Sequence, residues 1–398
     1  MKNFKIAFIL VTSLFFLWGL SYGLLDVMNK NFQTHLGITK ANSGLLQTAY
    51  FGAYFVMALP AGWIANRFSY KVGIIVGLLL YAIGALLIIP ASNGADFDLF
   101  LFAFFVLACG LGSLETNANP YITKLGQEKD AAFRINVAQS FNGVGQFVGP
   151  ILGGHLFLSL ANGHLEKNMS NVQGVYVGIA FIVLLIMLVF ILVKMPQANL
   201  KDEEDVHEHI CLKKIFSYPH FNFGLLAQFL YVAAQVGAGA FFINYATEHW
   251  TELSDEKAAY YLSAALVAFM LGRVFTTPLM KIFSPQKLLA IYSGINVILG
   301  AILFMGIPVV SVYVLIGVFF FMSISFPTIF ALATKDLHTR HVKFGSSLLV
   351  MSIVGGAIMP YLMGKVSDNF GTSYGYLLLV PCFAYVAWYG AFGCKTKT

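Results

Sequence analysis

Residues 115–142 read ETNANPYITKLGQEKDAAFRINVAQSFN, between the apolar runs FDLFLFAFFVLACGLGSL at 97–114 and GVGQFVGPILGG at 143–154. The stretch sets a carboxylate, several amides and a proline inside or beside segments long enough to cross a bilayer, where an unpaired polar group costs several kcal/mol. Groups that expensive need a reason to be there. The rest of the chain is organised around them.

The 398 residues are 58% hydrophobic and 11% charged, with a mean hydropathy of +0.77, which leaves too little polar surface to cover a soluble core. The apolar runs are too long for the roughly ten-residue alternating strands of a membrane barrel, and a helix needs about 20 apolar residues to span the hydrocarbon layer. The fold class is therefore an all-α membrane protein. Lys2 and Lys5 precede an apolar run as in a signal peptide, but the run continues to Asp26 and Met28 with no small-residue cleavage site, so it is expected to stay as a first helix.

Apolar segments lie at about 6–30, 43–66, 72–91, 98–123, 132–160 and 174–195, then at about 219–246, 257–281, 287–306, 309–334, 343–365 and 371–394. The sequence thus predicts twelve transmembrane helices in two six-helix bundles, 1–195 and 219–398, joined by a cytoplasmic linker at 196–218. With both termini inside, 18 of the 24 Lys and Arg residues fall on the inner side, 5 outside, and Arg273 within a helix. Cytoplasmic connections retain such residues, which supports that orientation.

The formal charge of +6 is scattered through short connections and not gathered in a patch, so no nucleic-acid partner is indicated. Cys109, Cys211, Cys382 and Cys394 have neither CxxC spacing nor a framework pattern, and His207 and His209 in the charged linker lack companions, so no metal site is expected. There is no metal-spaced histidine cluster, nucleophile elbow or phosphate loop, and hence nothing that implies an enzyme.

The halves echo each other. Pro120 and Pro150 are answered by Pro327 and Pro360, at offsets of 207 (327−120) and 210 (360−150), and FSYK ending at Lys71 by FSPQK ending at Lys287. Two parallel repeats place a binding site at their interface near the bilayer midplane.

Asp26, in GLLDVM, and Glu115, in GSLETNANP, are the carboxylates in apolar segments. Burial favours the protonated form of a carboxyl, which lets such a group take and release a proton near neutral pH. Both are candidate proton-coupling groups, although Asp26 lies late in its segment and a wet outer-end position also fits it. Arg273, in MLGRVF, is the one deep cation, a candidate gate pairing with a helix-end carbonyl or carboxylate, or else a residue of the cytoplasmic interface.

Around them lie uncharged donors and acceptors. Gln47, Tyr50 and Tyr54 are on the second segment, Asn117 and Asn119 on the fourth, and Asn136, Gln139, Asn142 and Gln146 on the fifth. Gln228, Tyr231 and Gln235 repeat the spacing of three and four on the seventh segment, with Asn244, Tyr245 and Asn296 further on. Amides interleaved with aromatic faces suit a neutral polyhydroxylated ligand such as a sugar. Amides and small residues also join membrane helices to one another, and that reading competes at every one of these positions.

On these residues the chain resembles the major facilitator superfamily, and within it the fucose permease family of sugar–proton symporters. The matching stretches include LWG ahead of Asp26, LLQTAYFGAYFVMALPAG, LETNANPY, RINVAQSFN, AQFLYVAAQ, FPTIFAL and KFGSSLLVMSIVGGAIMP, and they cover nearly the whole chain. The resemblance implies the major facilitator fold, alternating access, and import of a monosaccharide driven by a proton. It implies that Asp26 and Glu115 match the family's buried carboxylates, that Gln139 and Asn142 match cavity amides, and that the protein is an inner-membrane monomer needing no cofactor beyond the coupling proton.

Three positions depart from the fucose-type pattern: Leu25 and Gly23 stand where asparagines occur, and Phe326 where a tyrosine precedes the tenth-helix proline. Loss of groups that pair with sugar hydroxyls can change selection strongly. The expected function is proton-coupled import of L-fucose or a related hexose. Proton-independent uniport or export, and a sensor that binds sugar without moving it, are the alternatives.

Overall fold

A computed structural model of the protein, described for residues 2–125, 131–159, 165–193, 215–280, 282–335, 337 and 339–395, is almost wholly helical. Eleven stretches among the described residues are long and apolar enough to cross a membrane. The chain divides into two compact units, residues 1–38 with 48–204, and residues 39–47 with 205–398. His207, His209 and Cys211 lie outside the described residues.

The first unit holds α1 (Lys2–Leu36), most of α3 (Leu45–Arg67), α4 (Tyr70–Gly94), α5 (Phe97–Lys124), α6 (Ala131–Gly153), which runs into a wider π turn over Gly154–Ser159, and α7 (Leu165–Leu192). Glycines set how these helices pack. Gly19 and Gly23 on α1 face Gly145 and Gly149 on α6, and a Cβ at any of the four would strike the partner's backbone, Asn142 O for Gly19 and Phe16 O for Gly145. Removing the side chains lets two backbones touch, the usual basis of close helix packing in membranes. α4 crosses α5 the same way, with Gly77 against Gly110 O.

Two helices overrun their expected ends. α1 continues past residue 30 to Leu36, and α7 starts at Leu165, nine residues before the apolar run at 174. Hydropathy missed both ends because their amides are satisfied pairwise. Asn31 and Asn168 exchange two hydrogen bonds at 3.1 and 2.7 Å, Asn168 also donates to Phe157 O and Asn171 to Leu156 O at the π turn.

The second unit holds α2 (Lys40–Ser43), α8 (Pro219–Ala240), α9 (Phe242–His249), α10 (Asp255–Leu279), α11 (Pro285–Met305), α12 (Val310–Met322), α13 (Ser325–Thr334), α14 (Thr339–Met351), α15 (Gly355–Phe370), α16 (Thr372–Leu377) and α17 (Leu379–Trp388). Several apolar segments that the sequence shows as single helices are broken here, at Phe241, at Ser323–Ile324, at Ser352–Val354 and at Leu378. α8 packs on α13, α15 and α17. Ile215, from the end of the expected linker, is fully buried with Phe221, Ala333, Leu337 and Leu349.

Candidate functional site

In the first unit Asp26 is 3% exposed on α1. Glu115 is half-buried on α5 beside a small cavity lined by Leu14, Phe15, Trp18, Leu114 and Ala118. Among the described residues no hydrogen bond or ion pair reaches the Glu115 carboxyl. Tyr50 and Tyr54 stack obliquely with ring centroids 5.5 Å apart, and Tyr54 packs on Gly112, three residues before Glu115. The Tyr50 phenol lies within electrostatic reach of both carboxylates. The two acids and the tyrosine pair thus share one region.

The amides of this unit divide into two kinds. Asn142 is tied into the α1–α6 seam, donating to Phe15 O at 3.1 Å and accepting from Gln146 Nε2 at 2.8 Å, so its carboxamide and the Gln146 amide are engaged with protein. Asn117 donates to Ser113 O at 2.7 Å and presses on Gly73. Asn119, in contrast, is half-buried with a carboxamide oxygen that no protein donor reaches. Gln139 is half-buried on α6, three residues before Asn142. The side chain of Asn136 lies outside the described residues.

In the second unit Gln47 is fully buried at the start of α3. Gln228 on α8 is also fully buried, and neither its amide nor its carbonyl finds a protein partner; Asn296 on α11 is buried with its carbonyl oxygen unpartnered. A buried polar group left without its hydrogen bond costs about 1–3 kcal/mol. Gln235 is half-buried on α8. The Tyr231 hydroxyl is engaged, donating to Met322 O at 2.9 Å, and Arg273 Nε donates to Ser323 O at 3.2 Å with its guanidinium 5.2 Å from the Phe269 ring centre. Among the described residues Arg273 therefore meets a helix-end carbonyl and no carboxylate.

Sequence reasoning passed over a polar cluster at one end of this unit. Asp368 caps the start of α2, accepting from the backbone amides of Lys40 and Ala41 at 2.9 and 2.8 Å. Glu248 accepts from the Thr372 amide at 3.2 Å and pairs with Lys40 Nζ at 3.4 Å. Burial alone would raise the Glu248 carboxyl, but the Thr372 hydrogen bonds and the Lys40 charge outweigh it and hold it below the usual carboxylate range. Thr39, whose side chain accepts from Asn42 N, was the only sequence signal for this turn. Arg134, near the start of the fifth apolar segment, is buried and donates to Ile122 O at 3.0 Å near the end of α5.

The class these features define is a multi-span helical membrane protein with two carboxylates and a set of amides set in its apolar spans. Residues 8–359 match the family model of the Major Facilitator Superfamily, and the chain belongs to that family. It is 36% identical over 417 residues to the L-fucose-proton symporter of Escherichia coli (strain K12), covering 100% of this chain and 95% of the relative. It is 34% identical over 397 residues to a glucose/galactose transporter of Brucella abortus, covering 99% and 96%. The crystal structure of a major facilitator superfamily transporter, FucP, in the outward conformation superimposes with a TM-score of 0.70 at 36% identity, covering 99% of this chain and 100% of that one. These relatives are transporters and not enzymes.

Proposed function

We propose that this chain imports a neutral monosaccharide, L-fucose or a related hexose, together with a proton across a bacterial inner membrane. The observation that carries the reading is Glu115, a carboxyl held in an apolar span beside a small cavity with no cation or donor among the described residues to pair with it. A carboxyl in an apolar span costs less with its proton than without it, which suits a group that takes up and gives back a proton. Asp26 is the second proton-coupling group. Full-length identity to a sugar–proton symporter and to a glucose/galactose transporter supports the substrate class.

The fuller architecture belongs to the same proposal: twelve spans in two six-helix bundles, 1–195 and 219–398 with a linker at 196–218, both termini cytoplasmic, acting as a monomer with no cofactor. The amides whose hydrogen bonds are unmade, Asn119, Gln228 and Asn296, are the best candidates to meet sugar hydroxyls, since a ligand would remove a cost already present. Gln47, Tyr54, Gln139 and Gln235 complete the candidate set. Asn142 and Gln146 are bound to each other and serve the α1–α6 seam first.

In the working cycle the protonated carboxyl permits sugar to bind from outside. Closure and inward opening then release both to a more alkaline cytoplasm. Each proton entering an interior-negative cell gains roughly 2.3 kcal/mol per 100 mV, enough to concentrate sugar. The test is Glu115→Gln: concentrative uptake of labelled sugar is lost while exchange across the membrane persists. Accumulation against a gradient by that variant would remove Glu115 from the coupling role.

A further inference from the structure

The span Val310–Thr334 is single by length and double by geometry, since α12 stops at Met322, α13 starts at Ser325, and Ser323 and Ile324 lie between. The backbone stays right-handed there, but the Ser323 amide bonds to Phe320 O, three residues back, at 3.3 Å. The cause sits four residues on. Pro327 has no N–H to give to Ser323 O, and its ring crowds that carbonyl. Inside a bilayer a carbonyl without a donor is costly, and neighbouring side chains commonly supply one.

Here two do so, from two other helices. Arg273 on α10 donates to Ser323 O, and Tyr231 on α8 donates to Met322 O in a fully buried position. α10 comes near enough because residue 272 is glycine; a Cβ there would strike Phe320 O and the Ser323 hydroxyl. Phe319, Phe320, Phe321 and Met322 offer no polar side chain of their own before Ser323. The bend is therefore held from outside its own helix.

We propose that Tyr231 and Arg273 are positioning residues of the transport cycle, which clasp the carbonyls of Met322 and Ser323, set the angle of this span, and do not contact the sugar. This rests on the transport reading above. Alternating access proceeds by rocking or gating of helices between two states, and a span with a bend can act as such a gate. A proline bend with externally held carbonyls is such an element. The tyrosine carries one donor on a short rigid ring and fixes Met322, whereas the arginine carries five on a long stem and can follow Ser323 O as the bend opens and closes.

The test reads the bend and the transport separately. Deuterium uptake at the backbone amides of 318–330 is measured in the purified full-length protein, and uptake of labelled L-fucose, D-glucose and D-galactose in cells. Tyr231→Phe and Arg273→Gln are expected to speed exchange at the bend about tenfold, leaving the first unit unchanged. Vmax for the transported sugar should fall about tenfold with KM within about twofold, and Arg273→Lys should keep part of the rate. Pro327→Ala restores a backbone donor to Ser323 O, so adding Arg273→Gln to it should change exchange far less than Arg273→Gln does alone.

Unchanged exchange at the bend in both Tyr231→Phe and Arg273→Gln would overturn the clasp. So would a KM raised about tenfold at constant Vmax in Tyr231→Phe, which would make Tyr231 a sugar ligand. If the unmodified protein takes up none of the three sugars, the transport reading fails, and the exchange measurement still decides whether the two side chains hold the bend.

Discussion

Pro120 and Pro327 stand 207 positions apart at corresponding places in the two halves of the sequence, yet α5 runs unbroken from Phe97 to Lys124 while the other span is split at Ser323. The surroundings of the two prolines differ as well. A shift of 207 sets Thr116 on Ser323 and Glu115 on Met322. Around Pro120, Thr116 bonds to Gly112 O at 2.8 Å, Asn117 to Ser113 O at 2.7 Å, and Ser113 to Gly73 O of the tightly crossing α4 at 3.0 Å. Around Pro327 the turn Phe319–Met322 has no polar side chain, the turn Ser323–Phe326 has only the two serines, and the carbonyls of Met322 and Ser323 are met by Tyr231 and Arg273.

One helix is thus continuous and carries the carboxylate; the other is broken, its carbonyls held from other helices, and carries none. Both in-span acids, Asp26 and Glu115, lie in the first unit, whose helices are locked by glycine seams and paired amides. Among the described residues of the second unit the acids sit near helix ends or in a turn, as Asp255 and Glu256 do in the first turn of α10. A proton site benefits from surroundings that do not change except at the group itself. On the proposed reading, proton chemistry falls to the first unit and bending to the broken span of the second.

The largest effect should come from the rigid side. Gly19→Leu puts a side chain where Asn142 O already stands, and the purified variant should lose several kcal/mol of stability or fail to fold, whereas Gly52→Ala, with open space around its Cα, should leave the thermal midpoint nearly unchanged. Next, Asn168→Leu leaves the Asn31 amide without its partner and should cost about 1–3 kcal/mol in thermal unfolding. Pro327→Ala should lower the uptake rate about tenfold while Pro120→Ala changes it less than about twofold. Equal effects of the two would erase the distinction between the two helices.

The smallest effect lies at the Lys40–Glu248 pair. Because the Glu248 carboxyl is held below its ordinary range, its pairing contributes fully above the unfolded value of about 4.3 and is lost only as pH falls through the lowered folded value. Lys40→Ala should therefore shift the thermal midpoint equally at neutral and mildly acidic pH, and the difference should vanish only in strong acid.

Some of this was plain in the residues. Asp26 and Glu115 stand out because a charge in an apolar run has no bland explanation as common as that for a buried amide. Gly19 with Gly23, and Gly145 with Gly149, show the small-xxx-small spacing from which close helix packing can be foreseen. The split at Ser323 could not be, since Pro120 and Pro327 look alike and only the third dimension shows which carbonyls find donors nearby. Hydropathy also misplaced the ends of α1 and α7, because amides that satisfy one another look costly one residue at a time. Tyr231 and Gln228 sit three residues apart with the same sequence credentials as sugar ligands, and only geometry shows one hydroxyl engaged and one carboxamide unsatisfied.

The most direct test of the central claim is external pH in a weakly buffered suspension of de-energised cells expressing the protein, as L-fucose, D-glucose and D-galactose are added in turn. The account predicts alkalinisation with at least one of them, abolished by an uncoupler and by Glu115→Gln, and slower but present in Tyr231→Phe. Alkalinisation that survives in Glu115→Gln, or sugar entry with no pH change in the unmodified protein, would contradict it.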